Sequence, residues 1–173
     1  MPRVHHRSIV PIVAVFVAPM SHGSDRPAGT PLRMFLTDEL LTWLSSRYGV
    51  TRNAGMRAII AISYGAKDAL DAAISSADGF GRLGLLIPGR RIGRADIEAI
   101  GAWRSRRLRV AILAGQYDHA NVGTARSVRR ALADAGHVVD YTEVPEGHSP
   151  RTWRNHLRVV LVNLFGPPTV PDA

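Results

Sequence analysis

What most constrains this chain is an alternation that runs through most of its length: short runs rich in Val, Ile, Leu and Ala, each followed by a segment with apolar residues at helical spacing. The run Ile9 to Val17 is apolar on both faces, the pattern of a strand covered on both sides, and Arg57 to Ile62, Leu83 to Ile87, Arg109 to Ala114 and Val139 to Val144 read as the further strands. Between and after them, Phe35 to Tyr48, Ala66 to Ile74, Arg94 to Trp103, Ala125 to Ala135 and Pro150 to Phe165 predict helices, with Gly49 and Gly136 as stops and Pro150 as a start. Strands alternating with helices imply βαβ units joined by right-handed crossovers. The expected fold class is α/β, a mostly parallel sheet of about five strands with helices on both faces. The 173 residues form one expected domain, with a core over about 9–165 and a frayed, proline-rich tail over 166–173. No internal repeat is seen.

Composition narrows the chemistry. There is no cysteine, which excludes disulfides, thiolate catalysis and cysteine-based zinc sites together. The formal charge of +8 is almost wholly arginine, Lys67 being the single lysine. These arginines are scattered, and the densest group, Arg104, Arg106, Arg107 and Arg109, has no aromatic residues interleaved for base stacking, so no nucleic-acid partner is expected. Arg3, His5, His6 and Arg7 ahead of Ile9 to Ala18 imitate a signal peptide, but Pro11 interrupts the run and no A-x-A-like site follows. That run is too short to span a bilayer, and a cytoplasmic location is the working expectation, with export left open. His22 and His119 have no partners at metal-ligand spacing, so no metal is expected.

In a parallel sheet, reactive groups gather at the carboxyl ends of the strands. Three expected strand ends carry a nucleophile, an acid and a base: Ser63, Asp118 and His148. Taken singly, each has a plain structural account: Ser63 as a helix cap, Asp118 as a turn residue, His148 as an exposed loop residue. Taken together they stand in the order Ser, Asp, His, which differs from the orders of the trypsin-like and subtilisin-like proteases. A serine hydroxyl becomes a useful nucleophile when an imidazole accepts its proton and a carboxylate orients that imidazole. Ala61-Ile62-Ser63-Tyr64-Gly65 fits the strand-to-helix elbow G-x-S-x-G except at its first glycine, and aims the Tyr64 N–H at the position of an oxyanion.

Ala61 to Leu70, Gly115-Gln116-Tyr117-Asp118 with Asn121, Pro145-Glu146-Gly147-His148 with Trp153, and Glu39-Leu40-Leu41 resemble the elbow, acid, histidine and preceding-helix segments of the esterase D and enterochelin esterase-like group of α/β-hydrolases. The resemblance runs from about Ile9 to Phe165, with Ala66 in place of the second glycine of the group's elbow. It implies a truncated α/β-hydrolase fold and hydrolysis of a small-molecule carboxylic ester through an acyl-enzyme, with neither metal nor cofactor. The chain begins at what matches the group's fourth strand, ahead of which the group carries the loop supplying a second oxyanion N–H. The strand Ile9 to Val17 is therefore expected to pair directly with Arg57 to Ile62, and the loop Met20 to Gly23, through Met20 and Ser21, to provide that donor. Arg90, Arg91 and His22 are the expected substrate contacts. A homodimer covering the sheet edge is a further expectation, and a non-catalytic esterase-like domain acting through partner contacts is the competing functional reading.

Overall fold

The computed structural model describes residues 9–17, 30–76, 78–103 and 106–167. Helix α1 (Thr30–Met34), a π-helical stretch (Phe35–Leu40) and helix α2 (Leu41–Tyr48) follow one another without a break, and Gly49 ends them in the left-handed conformation at φ 58°. Strand β1 (Ala58–Ile62) then passes through a 3₁₀ turn (Ser63–Gly65) into helix α3 (Ala66–Ser75). Next come β2 (Arg82–Leu86), α4 (Arg94–Ala102), β3 (Arg109–Gly115), α5 (Val122–Asp134), β4 (Val138–Val144) and α6 (Pro150–Phe165). The sheet is wholly parallel in the order β1-β2-β3-β4, each strand lying beside its predecessor in sequence.

Alternation along the strands divides the core. Leu83, Leu85, Val110, Ile112 and Ala114 point to one face, where they meet Leu70 of α3, Ile100 of α4 and Val128 and Leu132 of α5. Leu86, Ala111, Leu113 and Val144 point to the other and pack on Val160 and Leu164 of α6. The side chains of the first helical segment add Leu36, which packs with Ala72 and Phe80 beside α3. The central strand β3 is buried along Val110–Gly115, which is why it reads as a continuous apolar run.

The expected α/β class with helices on both faces is therefore present, with two corrections. The sheet has four strands among the described residues, and Ile9–Val17 takes no regular structure and pairs with no strand. Val13 is 64% exposed and Phe16 95%, so this segment is not the buried strand that its composition predicts. An apolar β-branched run becomes a strand only when another strand accepts its ladder, and Pro11 contributes no N–H to one. The expected pairing of Ile9–Val17 with the edge strand β1 is absent.

Candidate functional site

The site lies at the carboxyl ends of β1, β3 and β4. Ser63 is the first residue after β1 and has φ 50°, a left-handed conformation that only a tight turn imposes on a residue with a Cβ. This strained strand-to-helix turn leads into the amino end of α3. Ala61 is tolerated at the first elbow position because the side chains nearby are small: a Cβ built on Gly65 would stand 3.6 Å from the Ala61 Cβ, an ordinary contact. Ala66 is fully buried and packs within the core under α3.

Ser63, His148 and Asp118, widely separated in the sequence, form one hydrogen-bonded row. The distance from Ser63 Oγ to His148 Nε2 is 2.7 Å, and from His148 Nδ1 to Asp118 Oδ2 it is 2.6 Å. A carboxylate only accepts, so Nδ1 carries the ring proton, which leaves Nε2 to accept from the Ser63 hydroxyl. Asp118 is buried, 6% exposed, whereas the His148 side chain is 36% exposed and faces the cleft. That difference in burial matches a carboxylate shielded from water and an imidazole open to a reactant.

The backbone locks the acid and histidine loops to each other. The N–H groups of Gln116 and Tyr117 donate to the carbonyls of Val144 and Glu146, at 2.8 and 3.0 Å. Gly115 makes this approach feasible, since a Cβ there would stand 2.5 Å from the Glu146 carbonyl oxygen and 3.1 Å from that of Gly147. Farther along, Thr152 Oγ1 donates to the Gly147 carbonyl at 2.7 Å, and His156 Nε2 donates to Glu146 Oε1 at 2.8 Å. The hydrogen bond from His156 holds the Glu146 carboxyl below the usual carboxylate range. The histidine loop is thus tied to β3 on one side and to α6 on the other.

A cleft of about 410 Å³ opens over Ser63, lined also by Tyr64, Gly89, Arg90, Arg91, Asn121 and His148. The two predicted arginines reach it in different conditions. Arg91 Nη1 donates to the Tyr64 carbonyl at 3.1 Å and to Asp68 Oδ2 at 3.0 Å, and its guanidinium lies 4.0 Å above the Tyr64 ring. Arg90 is exposed. The Gly89 N–H donates to the Ser63 carbonyl at 3.4 Å, so the loop after β2 grips the peptide that carries the Tyr64 N–H. Ahead of that loop Ile87 has φ 43°, a second strained residue at a strand end beside the site. Met20, Ser21 and His22, expected as oxyanion and substrate groups, lie outside the described residues.

Residues that patterning did not assign a role are prominent here. Asn121 Nδ2 donates to Asp118 Oδ1 at 2.7 Å and lies 3.3 Å from His148 Nδ1. Its place three residues after an acid, at the start of a helix, was the available signal. Gly89, Gly115 and His156 gave none, because their roles depend on which loops meet. Among the described residues no group of three His, Asp or Glu side chains is arranged to hold a metal ion, and no helix is long and apolar enough to cross a membrane.

These features define the fold as an esterase-like α/β-hydrolase fold over part of its usual extent, with a Ser–His–Asp row at the strand ends. Three solved structures illustrate the likeness. The enterochelin esterase of Shigella flexneri superposes with a TM-score of 0.70 at 19% identity, over 80% of this chain and 38% of that one. A ferulic acid esterase gives 0.62 at 15% identity, over 76% and 60%, and the Mycobacterium tuberculosis protein MPT51 (FbpC1) gives 0.62 at 14%, over 76% and 67%. The chain thus spans about two fifths of the enterochelin esterase it resembles. No protein-family model matches the chain, and no curated protein matches its sequence.

Proposed function

We propose that this chain is a serine hydrolase of carboxylic esters that works through an acyl-enzyme, with Ser63 as nucleophile, His148 as general base and then general acid, and Asp118 orienting the imidazole. The observation that carries this reading is the unbroken pair of hydrogen bonds, 2.7 and 2.6 Å, joining a strained strand-end serine to a buried aspartate through a ring open to the cleft. In the first half-reaction Ser63 Oγ attacks the ester carbonyl while His148 Nε2 takes its proton, and the imidazole then protonates the departing alcohol. Water repeats the sequence on the acyl-serine, releasing the acid. The Tyr64 N–H at the amino end of α3 is the proposed donor to the oxyanion, favoured there by the helix dipole. Met20 and Ser21 remain the proposed second source.

Arg90 and Arg91 beside the cleft support an ester that carries a negative or phenolic group, with Arg90 as the more available cation because Arg91 is engaged by Asp68 and Tyr64. His22 is retained as a third proposed substrate contact. The test is a fluorophosphonate probe followed by mapping of the modified residue, alongside turnover of short p-nitrophenyl esters. Labelling at Ser63 is expected, lost together with hydrolysis in a folded Ser63→Ala protein. Unlabelled, folded parent protein, or turnover that survives Ser63→Ala, would overturn the assignment and favour a non-catalytic domain.

A further inference from the structure

Asn121 stands at the amino end of α5 in the position of the helix cap, yet its side chain makes no capping hydrogen bond to that helix. Asparagine is among the preferred residues there because its side-chain oxygen can accept from a backbone N–H one turn into the helix. Here the side chain is turned the other way. Its amide donates to Asp118 Oδ1 at 2.7 Å and stands 3.3 Å from His148 Nδ1. The amide orientation follows from the chemistry, since a carboxylate oxygen cannot donate to an amide oxygen.

We infer that Asn121 is a positioning residue for the Ser63–His148–Asp118 row, holding the Asp118 carboxylate with Oδ2 toward the imidazole and restraining the proton affinity of that ring. Both effects follow from one NH₂ group. Bonding Oδ1 fixes the carboxylate plane, so that Oδ2 stays within 2.6 Å of Nδ1. The same bond draws carboxylate charge away from the ring. The positive end of the amide, close to Nδ1, also disfavours the imidazolium.

The inference rests on the proposed hydrolase reading for its catalytic meaning, but its geometry is independent of it. The other charged groups around the ring are Asp118 at the end of β3, Arg90 and Arg91 on the loop after β2, and Glu146 on the histidine loop itself. Of these, Arg91 is paired with Asp68 of α3, and Glu146 with His156 of α6. Substitution at position 121 leaves all of them present.

The experiment is an NMR titration of ring-labelled histidines in the full chain, with His148 identified among the seven histidines by a His148→Gln protein. Asn121→Ala and Asn121→Ser are compared with the parent. Each is expected to move the His148 midpoint upward by roughly half a pH unit or more, and Asn121→Asp further in the same direction. Serine restores a capping group, so Asn121→Ser is expected to melt no lower than the parent, which separates positioning from helix stability. The acid limb of the fluorophosphonate labelling rate is expected to follow the NMR midpoint. A His148 midpoint that is unchanged or falls in all three folded variants overturns the inference. Parent protein that is not labelled at all, but whose His148 midpoint still rises in the variants, sinks the hydrolase reading and leaves the role of Asn121 standing.

Discussion

At Ser63 the physical requirement and the amino acid are in tension: the backbone is left-handed, a conformation costing about 1 kcal/mol or more for a residue with a Cβ, and a glycine would relieve it. The proposed nucleophilic role requires a hydroxyl at this position, and the surroundings hold the strained turn. Arg91 is central to that support, through the Tyr64 carbonyl, Asp68 and the Tyr64 ring. Two neighbouring arginines are therefore expected to differ in their effects. Arg91→Met should lower kcat by roughly tenfold or more with a smaller change in KM, because it loosens Tyr64, the residue whose N–H is the proposed oxyanion donor. Arg90→Ala should raise KM for esters carrying a carboxylate and leave neutral esters little changed. Steady-state kinetics on a matched pair of charged and neutral p-nitrophenyl esters checks both, and identical behaviour of the two variants would remove the distinction.

Strand β3 and the loop after β4 set the distance between Asp118 and His148, and a glycine sets the distance between those two elements. Adding a methyl group at Gly115 puts a carbon 2.5 Å from a carbonyl oxygen of the histidine loop, which cannot rotate out of the way as a flexible side chain can. Gly115→Ala is expected to destabilise the fold by about 1–3 kcal/mol, the usual range for overpacking, and to lengthen the Ser63–His148 contact. Thermal melting reads the first effect and labelling by the fluorophosphonate probe the second; an unchanged melting temperature would show that the loop yields without cost. The elements themselves were largely legible. Four of the five expected helices and four of the five expected strands appear within about three residues of their expected limits, since apolar spacing reports local backbone period, while the first helical segment begins at Thr30, ahead of the expected Phe35. Ile9–Val17 was misread because period and composition say nothing about whether a ladder partner is present.

Across the whole molecule the ion pairs bind elements that the sheet does not itself join. Lys67 of α3 pairs with Asp96 of α4 at 3.0 Å, and Arg126 of α5 holds Glu143 of β4 at 2.5 Å. The hydrogen bond from Arg126 comes first among the causes that hold the Glu143 carboxyl below its ordinary value. A carboxylate depressed in the folded state adds stability that is present above its unfolded value, near 4.3, and lost as pH falls through the lower folded value. Tyr141 runs in the opposite direction. Burial, with the hydrogen bond to Glu143, raises its phenol to about 12, so its contribution is present below its unfolded value and lost as pH rises from about 10 to about 12. Melting temperature is accordingly expected to decline on both sides of a broad neutral plateau. Tyr141→Phe should remove the part of the alkaline decline due to this phenol, and an unaltered alkaline limb would show that Tyr141 does not contribute to it.

The sequence by itself determined the α/β class, the alternation of strands and helices from Ala58 onward, and the candidacy of Ser63, Asp118 and His148, because all of these follow from local period and from residue types at strand ends. Only the tertiary structure decided that the three side chains form one hydrogen-bonded row, that Arg91 is held by Tyr64 and Asp68, and that Asn121 turns from its helix toward Asp118. Local spacing fixes where an element begins and which way its side chains face. Distances between groups in separate loops are set by how the strands stack and how closely their turns approach, and no local pattern contains that information.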